Sequence, residues 1–292
     1  MSFLSLKSDY VFKKLFGEEP DILMDLLNAI LDLPEDQKIK ELTILNPEIP
    51  KEIISDKTSI FDIRAINHLG EQVIIEMQAF PQYFFVQRAL FYWAKTYASQ
   101  LEKGDEYQQL KKVYSINFID FNLINTKEYH SVFDIIARDN LDIQLTEDFE
   151  MHFLEIKKFP NTTAFDDKLD IWMYIIGNTE KIEEGIMKTI VDKQPVMKQV
   201  FDRLDKMSMN KTLLTEYEIR KRAIMDEKAR TQYSYNKGIE DGIEQGIEQG
   251  IEQGKKDAME EVALKLLDIL DDTAIAEKTG LSVESVRKLR NN

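Results

Sequence analysis

The stretch FDIRAINHLGEQVIIEMQ, Phe61 to Gln78, decides the fold. Phe61, Ile63 and Ala65 alternate with Asp62, Arg64 and Ile66, and after NHLGE the residues Val73, Ile75 and Met77 alternate with Ile74, Glu76 and Gln78. A period of two places one set of side chains on each face of an extended strand, so two such runs around a glycine-containing turn predict a β-hairpin. If that turn centres on Leu69, residues equidistant from it face each other, and Asp62 and Glu76 are equidistant.

Two carboxylates directly across a ladder have Cβ atoms about 4.5 to 5.5 Å apart and destabilise the pairing. At an effective dielectric of 20 they repel by roughly 3 kcal/mol. A divalent cation would offset this, because Mg²⁺ accepts hard oxygen ligands and is commonly held by one or two carboxylates, with water and phosphate completing its shell. Gln78, two residues beyond Glu76, shares its face and is placed to orient an attacking water. Such a centre suits phosphodiester hydrolysis. From spacing alone, the same pair also reads as two solvated acids on the open face of a hairpin, which is the commoner arrangement.

Upstream, SDYVFKKLF and PDILMDLLNAILDL carry apolar residues at helical spacing, with Ser8 as an expected N-cap and Pro20 opening the second helix. Downstream, FFVQRALFYWAKTYASQL reads as a long helix ending near Gly104. It presents Gln87 and Arg88, and Arg88 shares a face with Tyr92 at i, i+4, suited to a phosphate contact. VYSINFIDFNLI and FEMHFLEIKKF read as further strands, and Asp166 to about Arg230 as mostly helical. This order predicts an α/β domain around a mixed central sheet flanked by helices.

The C-terminal region has its own character. KGIEDGIEQGIEQGIEQGKK repeats every four residues, and glycine costs about 1 kcal/mol relative to alanine inside a helix, so the segment reads as a linker or a weak self-associating helix. DAMEEVALKLLDIL, DDTAIAEKTG and LSVESVRKLRNN follow as three short helical segments, with Gly280 and Ser282 as expected caps. They resemble a helix-turn-helix whose Arg287, Lys288 and Arg290 would meet phosphates; a helical protein-interaction module is the equal alternative. The expected domains are 1–235, a linker or helix over 236–256, and a helical module over 257–292.

A chain of 292 residues, 43% apolar and 10% aromatic, is long enough to bury a sizeable core. It has no cysteine, hence no disulfide framework and no thiolate zinc site. No apolar run approaches the roughly 20 residues that span a bilayer, and the N-terminus lacks a signal-peptide core, so a cytoplasmic protein with no membrane association is expected. The formal charge of -15 repels nucleic acid at long range. Contact with DNA would therefore rest on a local basic face or a bound metal.

SIFDIRAINHLGEQVIIEMQ, then QRALFYWAKTYASQLEKGDEYQQLKKVYSINFIDF and FLEIKKF, resembles the Rpn family of recombination-promoting nucleases, transposase-like members of the PD-(D/E)xK nuclease superfamily. The resemblance covers roughly residues 3 to 230. It implies a restriction-endonuclease-like core, a DNA endonuclease dependent on Mg²⁺ or Mn²⁺, and a role in recombination, mobile elements or phage defence. On the residues that match, it implies that Asp62 and Glu76 are metal ligands, that Gln78 stands where the superfamily usually has lysine, and that Asp9 matches the acid of the first helix. A neutral amide cannot supply lysine's charge, so water activation would rest more on the metal. A homodimer is expected, since one metal site per chain cuts one strand. The alternative is a non-catalytic DNA-binding or protein-interaction component of a transposon-derived system.

A second arrangement, Asp142, Glu155 and Lys157, matches the written D…ExK motif more closely because it keeps the lysine. It reads as structural: the following FPNTTAFDD is acidic and supplies no basic helix. His68, His130 and His152 lack ligand spacing.

Overall fold

The computed structural model of the protein describes residues 3–49, 59–160 and 162–291. Two compact units, Met1–Lys221 and Arg222–Asn292, meet within one helix. The first begins with α1 (Asp9–Phe16) and α2 (Pro20–Leu31). Ser8 precedes α1 in extended conformation but makes no side-chain cap bond; its carbonyl accepts the N–H of Phe12 instead. Pro20 stands in the first turn of α2, where its missing N–H leaves no helical bond unmade.

The strands are β1 (Leu42–Leu45), β2 (Glu48–Ile49), β3 (Ser59–Ile60), β4 (Ile63–Asn67) and β5 (Gln72–Gln78). α3 (Phe85–Ala98) leads into β6 (Val113–Ile119), and β7 (His130–Phe133) and β8 (Phe149–Glu155) follow. β2 and β3 form a two-stranded sheet, and the remaining six form one mixed sheet in the order β1-β4-β5-β6-β8-β7. β4 and β5 are antiparallel, β5–β6 and β6–β8 parallel. A parallel step needs a crossover, and α3 supplies it between β5 and β6.

The hairpin has the expected register. Ile63 faces Ile75 and Ala65 faces Val73, and the turn is closed by Asn67, whose side-chain oxygen accepts the N–H groups of Leu69 and Glu71. Gly70 adopts φ +83°, the left-handed conformation that glycine takes without steric cost. Ile63, Ala65, Val73, Ile75 and Met77 pack against α1, α2 and later helices in the main core. The opposite face, with Ile74, Val113, Ile119 and Phe153, packs against Phe85, Ala89 and Trp93 of α3. β6 is buried along its whole length, as a central parallel strand covered on both faces must be.

α4 (Lys168–Asn178), α5 (Glu184–Lys193) and α6 (Val196–Met209) complete the layer over the main core, where Trp172 is fully buried and donates to Asp25. α7 (Lys211–Leu266) then runs through the glycine repeat, whose isoleucines 239, 243, 247 and 251 are exposed. Both internal limits expected from sequence, 235 and 256, fall inside this helix.

In the second unit, α8 (Asp272–Thr279) and α9 (Val283–Asn291) close a small core of Ala263, Ile275 and Val286. Gly280 ends α8 at φ +78°, and the Ser282 hydroxyl accepts the N–H of Ser285 at the start of α9. Arg290 is turned inward: it donates to the carbonyls of Leu267 and Leu270 and pairs with Asp272 at 2.7 Å. Arg287 also pairs with Asp272 and Lys288 with Glu284. Of the three cations expected to meet phosphates, Arg290 is therefore engaged within its own module, while Arg287 and Lys288 remain on the surface in exposed ion pairs.

Candidate active site

The ladder between β4 and β5 ends at Ile63 and Ile75, one step before the two acids. There Asp62 bends out of ladder geometry and its Oδ2 accepts the N–H of Met77 at 2.7 Å. The backbone group that would have gone unpaired is satisfied by the acid itself, which holds Asp62 beside Glu76. Glu76 is the register partner of Asn117 on β6, and its carboxylate is 14% exposed. Its Oε1 is buried without a hydrogen-bond partner.

Four side chains from α3 and the loop before it, Gln82, Phe85, Arg88 and Tyr92, close this face. Arg88 Nη2 donates to Gln78 Oε1 at 3.0 Å and lies 3.6 Å from Glu76 Oε2. Its other terminal nitrogen bonds Gln82 Oε1. The guanidinium lies 5.0 Å from the ring centre of Phe85 and 5.9 Å from that of Tyr92. Because guanidinium has only donors, the atom of Gln78 facing Arg88 must be the amide oxygen. The NH₂ of Gln78 remains to donate. Tyr92 packs edge-on against Phe61 at 5.2 Å, and its hydroxyl is held protonated by burial first and by the charge of Glu76 second. Gln87, the neighbouring position on the helix, is exposed.

A residue that the sequence did not bring forward joins from α1. Lys13 Nζ donates to the carbonyl of Phe61 at 3.3 Å, next to Asp62, and its charge favours the ionised forms of both acids. The signal was available, since Lys13 lies four residues after Asp9 and shares its helix face. Asp9 itself is 45% exposed and 3.9 Å from Arg220, and it acts on Asp62 only through its charge. Asn117 was also overlooked. A polar residue in the apolar run VYSINFI, it is 1% exposed and bonds Ser115 and the carbonyl of His152.

Burial is the largest influence on both acids. It pushes Asp62 up to about 6, against the Met77 N–H that stabilises the ionised form, with the charge of Asp9 adding to the rise. Glu76 is pushed up to about 8 by burial and then by the charge of Asp62, with Arg88 and Lys13 opposing. Burial thus outweighs the charge of the neighbouring acid, and Arg88 and Lys13 oppose the rise at both positions.

Do these residues fit a divalent metal? No cluster of three or more His, Cys, Asp or Glu side chains with metal-binding geometry occurs among the described residues. A pair of carboxylates suffices for Mg²⁺, which retains water and takes substrate phosphate oxygens as further ligands. The unpartnered, buried Glu76 Oε1 is the atom such an ion would satisfy. The donor set fits.

The second D…ExK arrangement does not converge. Asp142 and Lys157 are exposed, whereas Glu155 is wholly buried, accepts the N–H groups of Leu123 and Ile124 and pairs with Lys158. His68 is exposed in the hairpin turn. His130 and His152, unrelated by spacing, meet at 2.9 Å across β7 and β8, and a bonded chain continues through Glu150 to Lys112. Burial lowers His130 to about 4. Each ring nitrogen used in that chain is already engaged within the protein.

A mixed sheet flanked by helices, with two acids at the mouth of a hairpin covered by a crossover helix, defines a nuclease-like α/β fold. The family model described as PD-(D/E)XK nuclease family transposase matches residues 6–234, and the chain belongs to that family. No curated protein and no solved structure matches the chain. A nuclease or mobile-element role follows from the family.

Proposed function

We propose that the protein is a metal-dependent DNA endonuclease hydrolysing phosphodiester bonds, with Asp62 and Glu76 holding Mg²⁺ or Mn²⁺. The observation that carries this is the buried pair itself: two carboxylates held together by the Asp62–Met77 bond, with one Glu76 oxygen left unsatisfied. When bound there, the ion supplies charge neutralisation at the phosphoryl group and makes water more acidic.

The chain's own groups divide the remaining tasks. Arg88 fixes the Gln78 amide with its NH₂ outward, so Gln78 donates a hydrogen bond to the attacking water or to a phosphate oxygen and orients it. Donors of Arg88 not used by Gln78, Gln82 and Glu76 meet a phosphate oxygen. Lys13 supplies positive charge beside Asp62 from α1, where the strand itself carries a neutral Gln78 in place of lysine. In the net reaction the oxygen of water adds to phosphorus and one P–O bond breaks. One proton goes to the leaving oxygen and the other to solvent.

The enzyme acts in the cytoplasm as a homodimer, a reading supported by the absence of cysteine and by the exposed isoleucines of α7. Among the described residues no helix is long and apolar enough to cross a membrane. Glu76→Ala should abolish Mg²⁺-dependent nicking of plasmid DNA while circular dichroism shows the fold retained; nicking at the wild-type rate by that variant refutes the assignment.

A further inference from the structure

Two aromatic side chains in the segment that leads into α3, next in the chain to Gln82, are left in solvent. Tyr83 is 94% exposed and Phe84 74%, with ring centres 6.3 Å apart. Phe84 is also the N-cap of α3, at φ +66° and ψ 25°. A bulky residue in the left-handed region costs roughly 1 to 3 kcal/mol, and the exposed Phe84 ring recovers little of that through burial. Glycine would adopt the same backbone without strain. The carbonyl of Phe84 accepts the N–H of Arg88, and Gln82, next to Tyr83 in the chain, accepts from the guanidinium that also bonds Gln78 and approaches Glu76.

Four residues of helix rise about 6 Å, the scale of one nucleotide in an extended strand. The chain carries a formal charge of -15, and acids form the centre of its site, so general electrostatic attraction cannot hold a polyanion here. A neutral aromatic surface holds a base without regard to that charge, because every base has a π-face. Within a continuous duplex those faces are stacked on neighbouring base pairs. Only an unpaired or displaced nucleotide offers one freely.

We propose that Tyr83 and Phe84 form a stacking platform for an unpaired nucleobase adjoining the scissile phosphate, which makes DNA with a single-stranded or mispaired segment the preferred substrate. This rests on the reading of Asp62 and Glu76 as a nuclease centre. The left-handed backbone of Phe84 leaves its ring in solvent at the start of α3, beside that of Tyr83.

The test measures binding by the full-length chain in EDTA, where no cleavage occurs, to two duplex probes carrying 2-aminopurine: one fully paired, one with the labelled base in a small bubble. The wild type should favour the bubble probe by about 10- to 100-fold, the range expected from stacking one base. The Tyr83→Ala/Phe84→Ala variant should lose that preference and the fluorescence quenching that accompanies stacking. Phe84→Gly keeps the backbone conformation and removes one ring; it should melt at a higher temperature than wild type and still lose most of the preference. Equal affinity of wild type for both probes, or a preference surviving in both variants, overturns the platform. So does a variant whose only change is its sedimentation, since the rings then cover a protein contact. Nicking that depends on Glu76 combined with equal affinity for the probes defeats the platform alone, whereas nicking untouched by Glu76→Ala defeats the underlying site.

Discussion

Asp62 Oδ2 accepts the backbone N–H of Met77 at 2.7 Å, so one catalytic candidate is anchored by the strand that carries the other. Because the ladder stops at Ile63 and Ile75, the acids sit where backbone pairing gives way to side-chain pairing. A carboxylate that accepts a backbone N–H is oriented as well as charged. Under the proposed function, its remaining oxygen and the unpartnered oxygen of Glu76 are the atoms that would hold the ion.

Removing one charge of the pair should stabilise the metal-free protein. Glu76 is pushed up to about 8 by burial and by Asp62, which means that its ionised form is unfavourable in the fold at neutral pH. Glu76→Gln should raise the urea midpoint in EDTA at unchanged m-value, a gain in unfolding free energy on the order of 1 to 3 kcal/mol. The same variant should gain no stability from Mg²⁺, whereas the wild type should.

Stability in EDTA should fall as pH rises from the range where unfolded carboxylates ionise, near 4, through neutrality. The sign follows from linkage: over that window the folded chain holds protons on Asp62 and Glu76 that the unfolded chain has released, so unfolding becomes easier with each step up in pH. His130 acts in the opposite sense, since its lowered value makes the unfolded chain the better proton binder between about 4 and the ordinary histidine range. The difference between wild type and Glu76→Gln isolates the pair. Calorimetric Mg²⁺ titration in buffers of different ionisation enthalpy should show proton release on binding and an affinity that rises with pH.

Arg88 and Lys13 should separate by their variants. Arg88→Lys keeps a positive charge but loses the planar fork that serves Gln78, Gln82 and Glu76 together, so it should lower kcat/KM by about 10²-fold, nearly as much as Arg88→Met. Lys13→Met should lower kcat and move the acid-side limb of the pH–rate profile to higher pH, because a charge favouring both ionised carboxylates is gone. Lys13→Arg should restore most of that limb.

Glu155 offers the contrasting case. It is wholly buried, accepts two backbone N–H groups and pairs with Lys158, so Glu155→Gln should destabilise the fold by about 2 to 4 kcal/mol. Cleavage per folded molecule should stay at the wild-type level below the melting temperature. Loss of cleavage in fully folded Glu155→Gln would move the active centre to this strand.

The glycines of α7 test the proposed homodimer. A Cβ at Gly242 or Gly246 meets nothing within 4 Å in its own chain, so alanine there should raise helix stability by about 1 kcal/mol per site. Sedimentation should at the same time show a weaker dimer if two such helices approach through that stripe. A dimer of unchanged strength excludes the stripe as the contact.

The alternation in Phe61–Gln78 by itself determined the hairpin, its register and hence the juxtaposition of Asp62 and Glu76, because a period of two and a short closed turn leave one register that buries Ile63, Val73 and Ile75. The amphipathic first helices and the buried strand β6 were legible for the same local reason. The edge strands β1 and β7 were not: four residues long and only partly buried, they are extended because a neighbouring strand offers a ladder. The meeting of His130 with His152, the inward turn of Arg290 and the approach of Lys13 to the acids also needed the tertiary structure. Each joins groups from different elements, and no local periodicity encodes where one element comes to rest against another. The acids of the pair were written along the chain, but their desolvation arises only when the helices close over the sheet.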